Sequence, residues 1–203
     1  MARKQAHIDL DTRDHLLEVA ARIVGTQGYA AASMRAIAQE AGIEAASIYH
    51  HFASKEDLVD EMMAHGYELM VRHIQEHLDA LDANAGAEAR FRAAVRGQMS
   101  AVAHYGDYTI ASNRLLAQLP PRARERQVQR REAHQQLWAG VIEALRAEGV
   151  LRPEVDAVLL RVFVQGSVNS AQTWFDPGKG SLADVAAQLC DMFLDGIRAN
   201  RAA

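Results

Sequence analysis

The chain has 203 residues, a net charge of −4, four prolines, one cysteine and few aromatics against a background rich in Ala and aliphatic residues. That length supports one or two small domains with a real core. The lone Cys190 excludes an intramolecular disulfide and fits a reducing cytoplasm, while the lack of an ~18-residue apolar run and of a signal-peptide core argues against a membrane or exported role.

Helical periodicity runs through most of the sequence and predicts an all-α protein of about nine helices. Residues 1 to 8 read as a loose polar tail. A first helix is expected from about Asp11 to Gln27, with Leu16, Leu17, Ala20, Ile23 and Val24 facing inward and Gly28 beyond its end. Ser33 is a good N-cap for a second helix, whose Ile37, Ala38 and Ala41 form an apolar stripe. Gly42 marks the turn, where positive φ favours glycine, and Ile43 is expected as the turn's buried anchor. Ala45 to His51 read as a third helix of about two turns, with Ile48 and Phe52 inward and Ala45, Ala46, Ser47, Tyr49 and His50 outward. His51, beside Phe52, is expected to pack inward. Two short helices about a tight glycine turn make a helix-turn-helix over about 33–52, whose second helix can enter the DNA major groove.

Ser54 to Asp57 reads as a capping box for a fourth helix reaching about Leu81. Asp82 to Gly86 is a break by turn composition. Helices are then expected over about Glu88–His104, Asp107–Leu119 (halted by Pro120-Pro121) and Arg122–Glu148, which ends at Gly149. Pro153 is placed in the first turn of a very apolar helix that reaches Trp174. Asp176 to Gly180 is a turn, and Ser181 caps a last helix to about Ala199. Cys190 falls in an apolar stretch of that helix, as a buried and inert thiol.

The stretch Ser33-Met-Arg-Ala-Ile-Ala-Gln-Glu-Ala-Gly-Ile-Glu-Ala-Ala-Ser-Ile-Tyr-His-His-Phe-Ala-Ser-Lys55 carries a specific resemblance. Together with His15-Leu-Leu-Glu-Val-Ala-Ala-Arg-Ile-Val24, Gly28-Tyr29 and Glu56-Asp-Leu58, it is similar to the N-terminal domain of the tetracycline-repressor (TetR) family. The resemblance implies a three-helix DNA-binding domain over residues 10–70 and a ligand-binding and dimerisation domain over 71–203. By position in the motif, it implies DNA contacts from Ser33, Arg35, Ala45, Ala46, Ser47, Tyr49, His50 and Lys55. N-terminal residues of the recognition helix face base edges, whereas Tyr49 and Lys55 match the family's phosphate-contacting positions, which set register rather than sequence. Ala45 and Ala46 offer only apolar contact, for instance to a thymine methyl. Residues 1 to 55 carry six Lys/Arg (Arg3, Lys4, Arg13, Arg22, Arg35, Lys55) and six Asp/Glu (Asp9, Asp11, Asp14, Glu18, Glu40, Glu44). This neutral balance runs against phosphate binding, and makes a helical interaction module that has lost DNA binding the rival reading.

Thr173-Trp-Phe-Asp-Pro-Gly-Lys-Gly-Ser-Leu-Ala-Asp-Val-Ala186 resembles a segment of TetR-family regulators of fatty-acid, phenylacetate and steroid catabolism, several of which respond to acyl-CoA thioesters. A hydrophobic or acyl-CoA-type effector is the implied ligand. Pocket candidates of mixed polarity are Met62, Tyr105, Tyr108, Arg114, Trp138, Phe163, Gln165, Asn169 and Trp174. The last two helices, with small Gly166, Ser167 and Ser170 on one and apolar Leu182, Val185, Leu189, Met192, Phe193 and Ile197 on the other, are too apolar for one covered face. They form either the core of one protomer or a two-fold four-helix contact between copies, and a homodimer through these helices is what the family resemblance implies.

Other chemistry is poorly supported. His65, His73, His77, His104 and His134 invite a metal site, but no Cys or Glu motif completes one. Five arginines between Arg122 and Arg131 form a solvated face or, on a sharper reading, a landing site for ligand phosphates. Gly178-Lys-Gly-Ser181 fails the P-loop pattern, Gly178-x-Gly180-x-x-Ala183 follows a helix rather than a strand, and no nucleophile has a base and an orienter. The sequence therefore predicts a DNA-binding regulator of operator DNA, with no cofactor and no enzymatic activity.

Overall fold

The computed structural model describes residues 2–116 (side chains from Thr12), 125, 127–129, 131–176, 178 and 180–198. Its named α-helices are α1 (Ala2–Gln27), α2 (Met34–Glu40), α3 (Ile48–His51), α4 (Lys55–Asp79), α5 (Ala87–His104), α6 (Gly106–Leu116), α7 (Glu132–Ala147), α8 (Ala157–Trp174) and α9 (Leu182–Ile197), with a 3-10 turn at Tyr29–Ala31. They form two compact units, one of Met1–Tyr67 with Asp107–Arg131 and one of Glu68–Gly106 with Glu132–Ala203. Helix α4 supplies residues to both.

In the first unit, α1 starts at Ala2, so the expected tail is helical. No glycine or proline interrupts residues 2 to 24, and strong helix formers carry the backbone through. Leu16, Leu17, Ala20, Ile23 and Val24 are buried as their spacing requires, as are Ile37, Ala38, Ile48, Phe52 and Leu58. The Ser33 hydroxyl accepts from the Ala36 amide at 3.1 Å and caps α2. Gly42 takes φ of 72°, where an L side chain would be strained, and closes the turn with Ile43 N–H donating to the Ala38 carbonyl at 3.0 Å. Ile43 is half-buried rather than fully enclosed, and His51 is half-exposed rather than packed inward.

Helix α3 is shorter than the sequence suggests. Ala45 to Ser47 form a turn, with Ser47 N–H on the Glu44 carbonyl at 2.9 Å and His50 N–H on the Ser47 carbonyl at 3.1 Å. The i→i+3 bonds tighten the approach, and regular helix begins only at Ile48. Ser54 caps α4 by accepting from Asp57 N–H at 3.0 Å. The Asp57 carboxylate accepts from the Ser54 hydroxyl at 2.7 Å, not from the Ser54 amide, because a side chain one methylene shorter than Glu stops at the hydroxyl.

The second unit is built around α5, which packs on α7, α8 and α9. Helix α5 is buried on most of its circumference, through Phe91, Ala94, Val95, Met99 and Val102 among others, as a central helix must be. Trp138, Ile142 and Leu145 come from α7, Leu160, Val164 and Val168 from α8, and Cys190 and Leu194 from α9. Burial pushes the Cys190 thiol up to about 11, so the thiol is inert. Pro153 does not open a helix. It sits in a turn closed by Val155 N–H on the Arg152 carbonyl at 3.1 Å, a position its fixed φ suits, and Asp156 caps α8 by accepting from Val158 and Leu159 N–H. Ser181 caps α9 through the Asp184 amide at 3.1 Å. Pro120-Pro121, Pro177, and Arg122, Arg124, Arg126 and Arg130 of the arginine-rich stretch lie outside the described residues.

Candidate functional site

The helix-turn-helix presents a polar rim whose members differ in how free they are. Arg35, Ala45, Ala46, Tyr49 and His50 are exposed, Tyr49 by 58%, and Ser33 is exposed with its hydroxyl already used as the α2 cap. Ser47 and Lys55 are half-buried. Between Tyr49 and His50 on one side and buried Ile48 and Phe52 on the other, α3 divides cleanly into a solvent face and a core face.

The basic residues explain how a charge-balanced module could still offer cations. Arg13 donates to the Glu61 carboxylate and lies over the Phe52 ring, 4.7 Å from its centroid. Arg22 donates to Glu40 at 3.1 Å. Lys55 donates to the Tyr29 carbonyl at 2.5 Å with its ammonium 3.7 Å from the Tyr29 ring centroid. Partial burial lowers its pKa, opposed by the Glu56 carboxylate. Lys55 thus pins the 3-10 turn to the start of α4, a role the sequence did not suggest. Among the described Lys and Arg side chains of residues 12 to 55, Arg35 alone has no hydrogen bond or ion pair to the protein.

The nine pocket candidates divide between the units. Met62 and Tyr108 are buried in the first, with Tyr108 tilted against His65 at 5.7 Å, and exposed Arg114 donates to the Thr26 carbonyl at 3.2 Å. In the second unit, Trp138 and Asn169 meet at Gln98, which is absent from the nine candidates and fully buried on α5. Indole N–H can only donate, so Gln98 Oε1 accepts from Trp138 Nε1 at 2.5 Å and from His134 Nε2 at 3.1 Å. Gln98 Nε2 is thereby turned to Asn169 Oδ1, to which it donates at 2.8 Å. Spacing could have found Gln98, since it continues the Phe91–Val95–Val102 stripe with a polar residue at an inward position.

Gln165 and Gln172 lie on the same side of α8 as Asn169, and Gln165 Nε2 and Gln172 Oε1 are shut from solvent without a hydrogen-bond partner. Each such buried polar atom costs roughly 1–3 kcal/mol relative to a paired one. Tyr105 is half-buried, with its ring edge-on to His73 at 6.0 Å. Phe163 and Trp174 do not join this group: they are 61% and 54% exposed, on the opposite face of α8. Core residues Leu160, Val164, Val168 and Ala171 take the buried face and leave these aromatics outside. A groove of about 280 Å³ between α7 and α8, lined by Glu132, Ile142, Glu143, Val158 and Arg161 among others, contains none of the nine.

Among the described residues, no three His, Cys, Asp or Glu side chains are placed to hold a metal ion, and no helix is long and apolar enough to cross a membrane.

Known proteins bear on both units. The family described as "Bacterial regulatory proteins, tetR family" matches residues 16–62, and "Tetracyclin repressor-like, C-terminal domain" matches residues 84–197. The chain is 34% identical over 196 residues to the HTH-type transcriptional repressor KstR2 of Rhodococcus jostii, covering 91% of this chain and 90% of that protein. It superimposes on the structure of the ketosteroid transcriptional regulator KstR2 of Mycobacterium tuberculosis with a TM-score of 0.74 at 27% identity, covering 93% and 95% of the two chains. The fold is shared with Bacillus subtilis FadR in complex with stearoyl-CoA, at a TM-score of 0.73 and 18% identity over 91% of this chain and 98% of that one.

Proposed function

The chain belongs to the TetR family of transcriptional regulators, and we propose that it is a dimeric repressor of catabolic genes, released from a palindromic operator by a hydrophobic acyl-CoA-type effector. Residues 10–70 form the DNA-binding domain and 71–203 the domain for effector and partner. The exposed rim of Arg35, Tyr49 and His50 beside the buried Ile48–Phe52 face carries the DNA reading. Ser33, Ala45, Ala46 and Ser47 complete the surface that meets DNA, and Lys55, anchored on the Tyr29 carbonyl, keeps two further N–H donors for phosphate. Among the described residues, six of the eight large apolar side chains that stand exposed (Val158, Leu159, Val162, Phe163, Trp174 and Met192) lie on α8 and α9, which supports dimerisation there.

The effector reading rests on the polar face of α8. A ligand inserted beside Gln165, Asn169 and Gln172 would satisfy the amide atoms that the protein leaves unpaired. The same fold holds stearoyl-CoA in FadR, and the R. jostii and M. tuberculosis relatives are a repressor and a ketosteroid regulator. An effector shifts the DNA-binding equilibrium only by its difference in affinity for the two states, and α4, which contributes to both units, is the element through which the difference passes. Fluorescence anisotropy with upstream promoter DNA tests this: specific binding lost on adding a steroid-derived or long-chain acyl-CoA supports it, and affinity unchanged at saturating thioester refutes the effector. Absence of specific DNA binding with a flat salt response would favour the interaction module instead.

Arg35→Ala should weaken operator binding about equally across operator variants and make the salt slope shallower by roughly one unit per protomer, as loss of one phosphate contact requires. Arg22→Ala, which removes a cation already paired to Glu40, should leave that slope nearly unchanged. Equal slopes for Arg35→Ala and the wild type would remove Arg35 from the interface.

A further inference from the structure

Three histidines gather where the second half of α4 crosses α5. His73 lies 5.4 Å from His77 and 5.6 Å from His104, ring centre to ring centre. The crossing beneath them is close: a Cβ added at Gly97 would stand 2.8 Å from the Ile74 Cα and 3.1 Å from the His73 carbonyl oxygen. Backbone approaches backbone here, so the seam has no slack to absorb repulsion.

Hydrogen bonds fix where protons can add. His77 donates Nδ1–H to the His73 carbonyl at 2.9 Å, and His104 donates Nδ1–H to the Ser100 carbonyl at 2.8 Å. Each therefore carries its lone pair on Nε2. His73 Nε2 meets the Ser100 hydroxyl at 3.0 Å, and its Nδ1 lies 3.5 Å from the Glu76 carboxylate. Around His73 stand Arg72, Glu76 and His77 on α4, and Ser100, His104 and Tyr105 at the end of α5. One carboxylate thus faces one arginine and three imidazoles.

We propose that His73, His77 and His104 form a proton-sensitive seam: uncharged rings let α4 and α5 close on Gly97, and acidification places like charges within the cluster and loosens that contact. The pKa of His73 is lowered, first by burial and then by His77, with His104 and Arg72 adding to the effect and Glu76 opposing it. A histidine whose pKa falls on folding releases protons on folding. Stability from this site is therefore present above the ordinary histidine value of about 6.5 and is lost as pH falls below it through the lowered folded value. Because α4 begins beside the recognition helix, the seam gives the protein an acid-responsive element that needs no effector.

The test uses the full-length protein. Urea midpoints are measured at about pH 7.5 and about pH 5.5 for the wild type, His73→Gln and His104→Gln, and the imidazole resonances are followed by NMR. The wild type should lose the most on acidification, His73→Gln should remove most of that loss, and His104→Gln a smaller part of it, since burial and His77 lower the His73 pKa more than His104 does. In His104→Gln, the His73 titration should move up toward its ordinary value, since a neighbouring cation is gone. His104 is exposed, so this variant folds even where His73→Gln does not. Equal acid losses in all three proteins, or a His73 titration indifferent to His104, would overturn the proposal.

Discussion

Trp138→Ala is expected to destabilise the second unit by about 3–5 kcal/mol, the range for deleting a large aromatic from a packed core. Trp138 is fully buried and meets Phe91 edge-on at 6.3 Å, so truncation opens a cavity against rigid neighbours. The indole also orients Gln98. Without it, Gln98 Oε1 keeps only the His134 donor, and nothing compels Nε2 to face Asn169. Trp138→Phe separates the two effects, because it keeps most of the ring volume and removes only the N–H. Its cost should fall well below that of Trp138→Ala, by the difference between a cavity and a single buried hydrogen bond. Urea unfolding followed by far-UV circular dichroism measures both. If the Phe variant lost as much as the Ala variant, the polar network and not packing would hold this core together. If the network orients Asn169 for an effector, Trp138→Phe should also weaken the effector response while DNA affinity without effector stays unchanged.

Much of this was legible because short-range chemistry and burial agreed. Ser33, Gly42, Ile48 and Phe52 declared the helix-turn-helix: a cap, a positive-φ turn and two inward positions at helical spacing leave few alternatives. The recognition helix is shorter than its composition suggests. Ala45 and Ala46 favour helix strongly, but the turn's bonds to Glu44 and Ser47 set the local geometry, and propensity yields to them. Pro153 misled in a related way, since the same fixed φ suits a helix's first turn and a turn's second residue. Lys55 and Gln98 were beyond reach for a different cause. Their partners, Tyr29 and the His134–Trp138–Asn169 set, lie far off in sequence, and the roles exist only once those segments meet. The basic residues show the same limit: counting gave a neutral module, but only pairing shows that Arg13, Arg22 and Lys55 are engaged and Arg35 is not.

On the proposed dimer through α8 and α9, Phe163→Asp should give a monomer and reduce operator affinity by about 100-fold or more. In a two-fold contact each residue of one copy recurs in the other, so one substitution buries two carboxylates in an apolar face, where neither has a partner. Phe163 is 61% exposed in the single chain and stands among exposed Val158, Leu159 and Val162, so the change removes nothing from the protomer's own core. The unfolding midpoint measured at high dilution should therefore move little, as for most surface substitutions. Operator affinity should fall steeply, because two half-sites bound by linked recognition helices gain about 10²–10⁴ over one. Sedimentation velocity gives the mass, and anisotropy with full and half operators gives the affinity. Monomeric Phe163→Asp should bind both DNAs alike and weakly, with a salt slope about half that of the wild type, since half as many phosphates are met. A variant that stays dimeric would place the contact elsewhere, and the apolar face of α8 would then need another occupant. A monomer that still held the full operator tightly would be more damaging, since paired recognition helices would no longer account for the affinity.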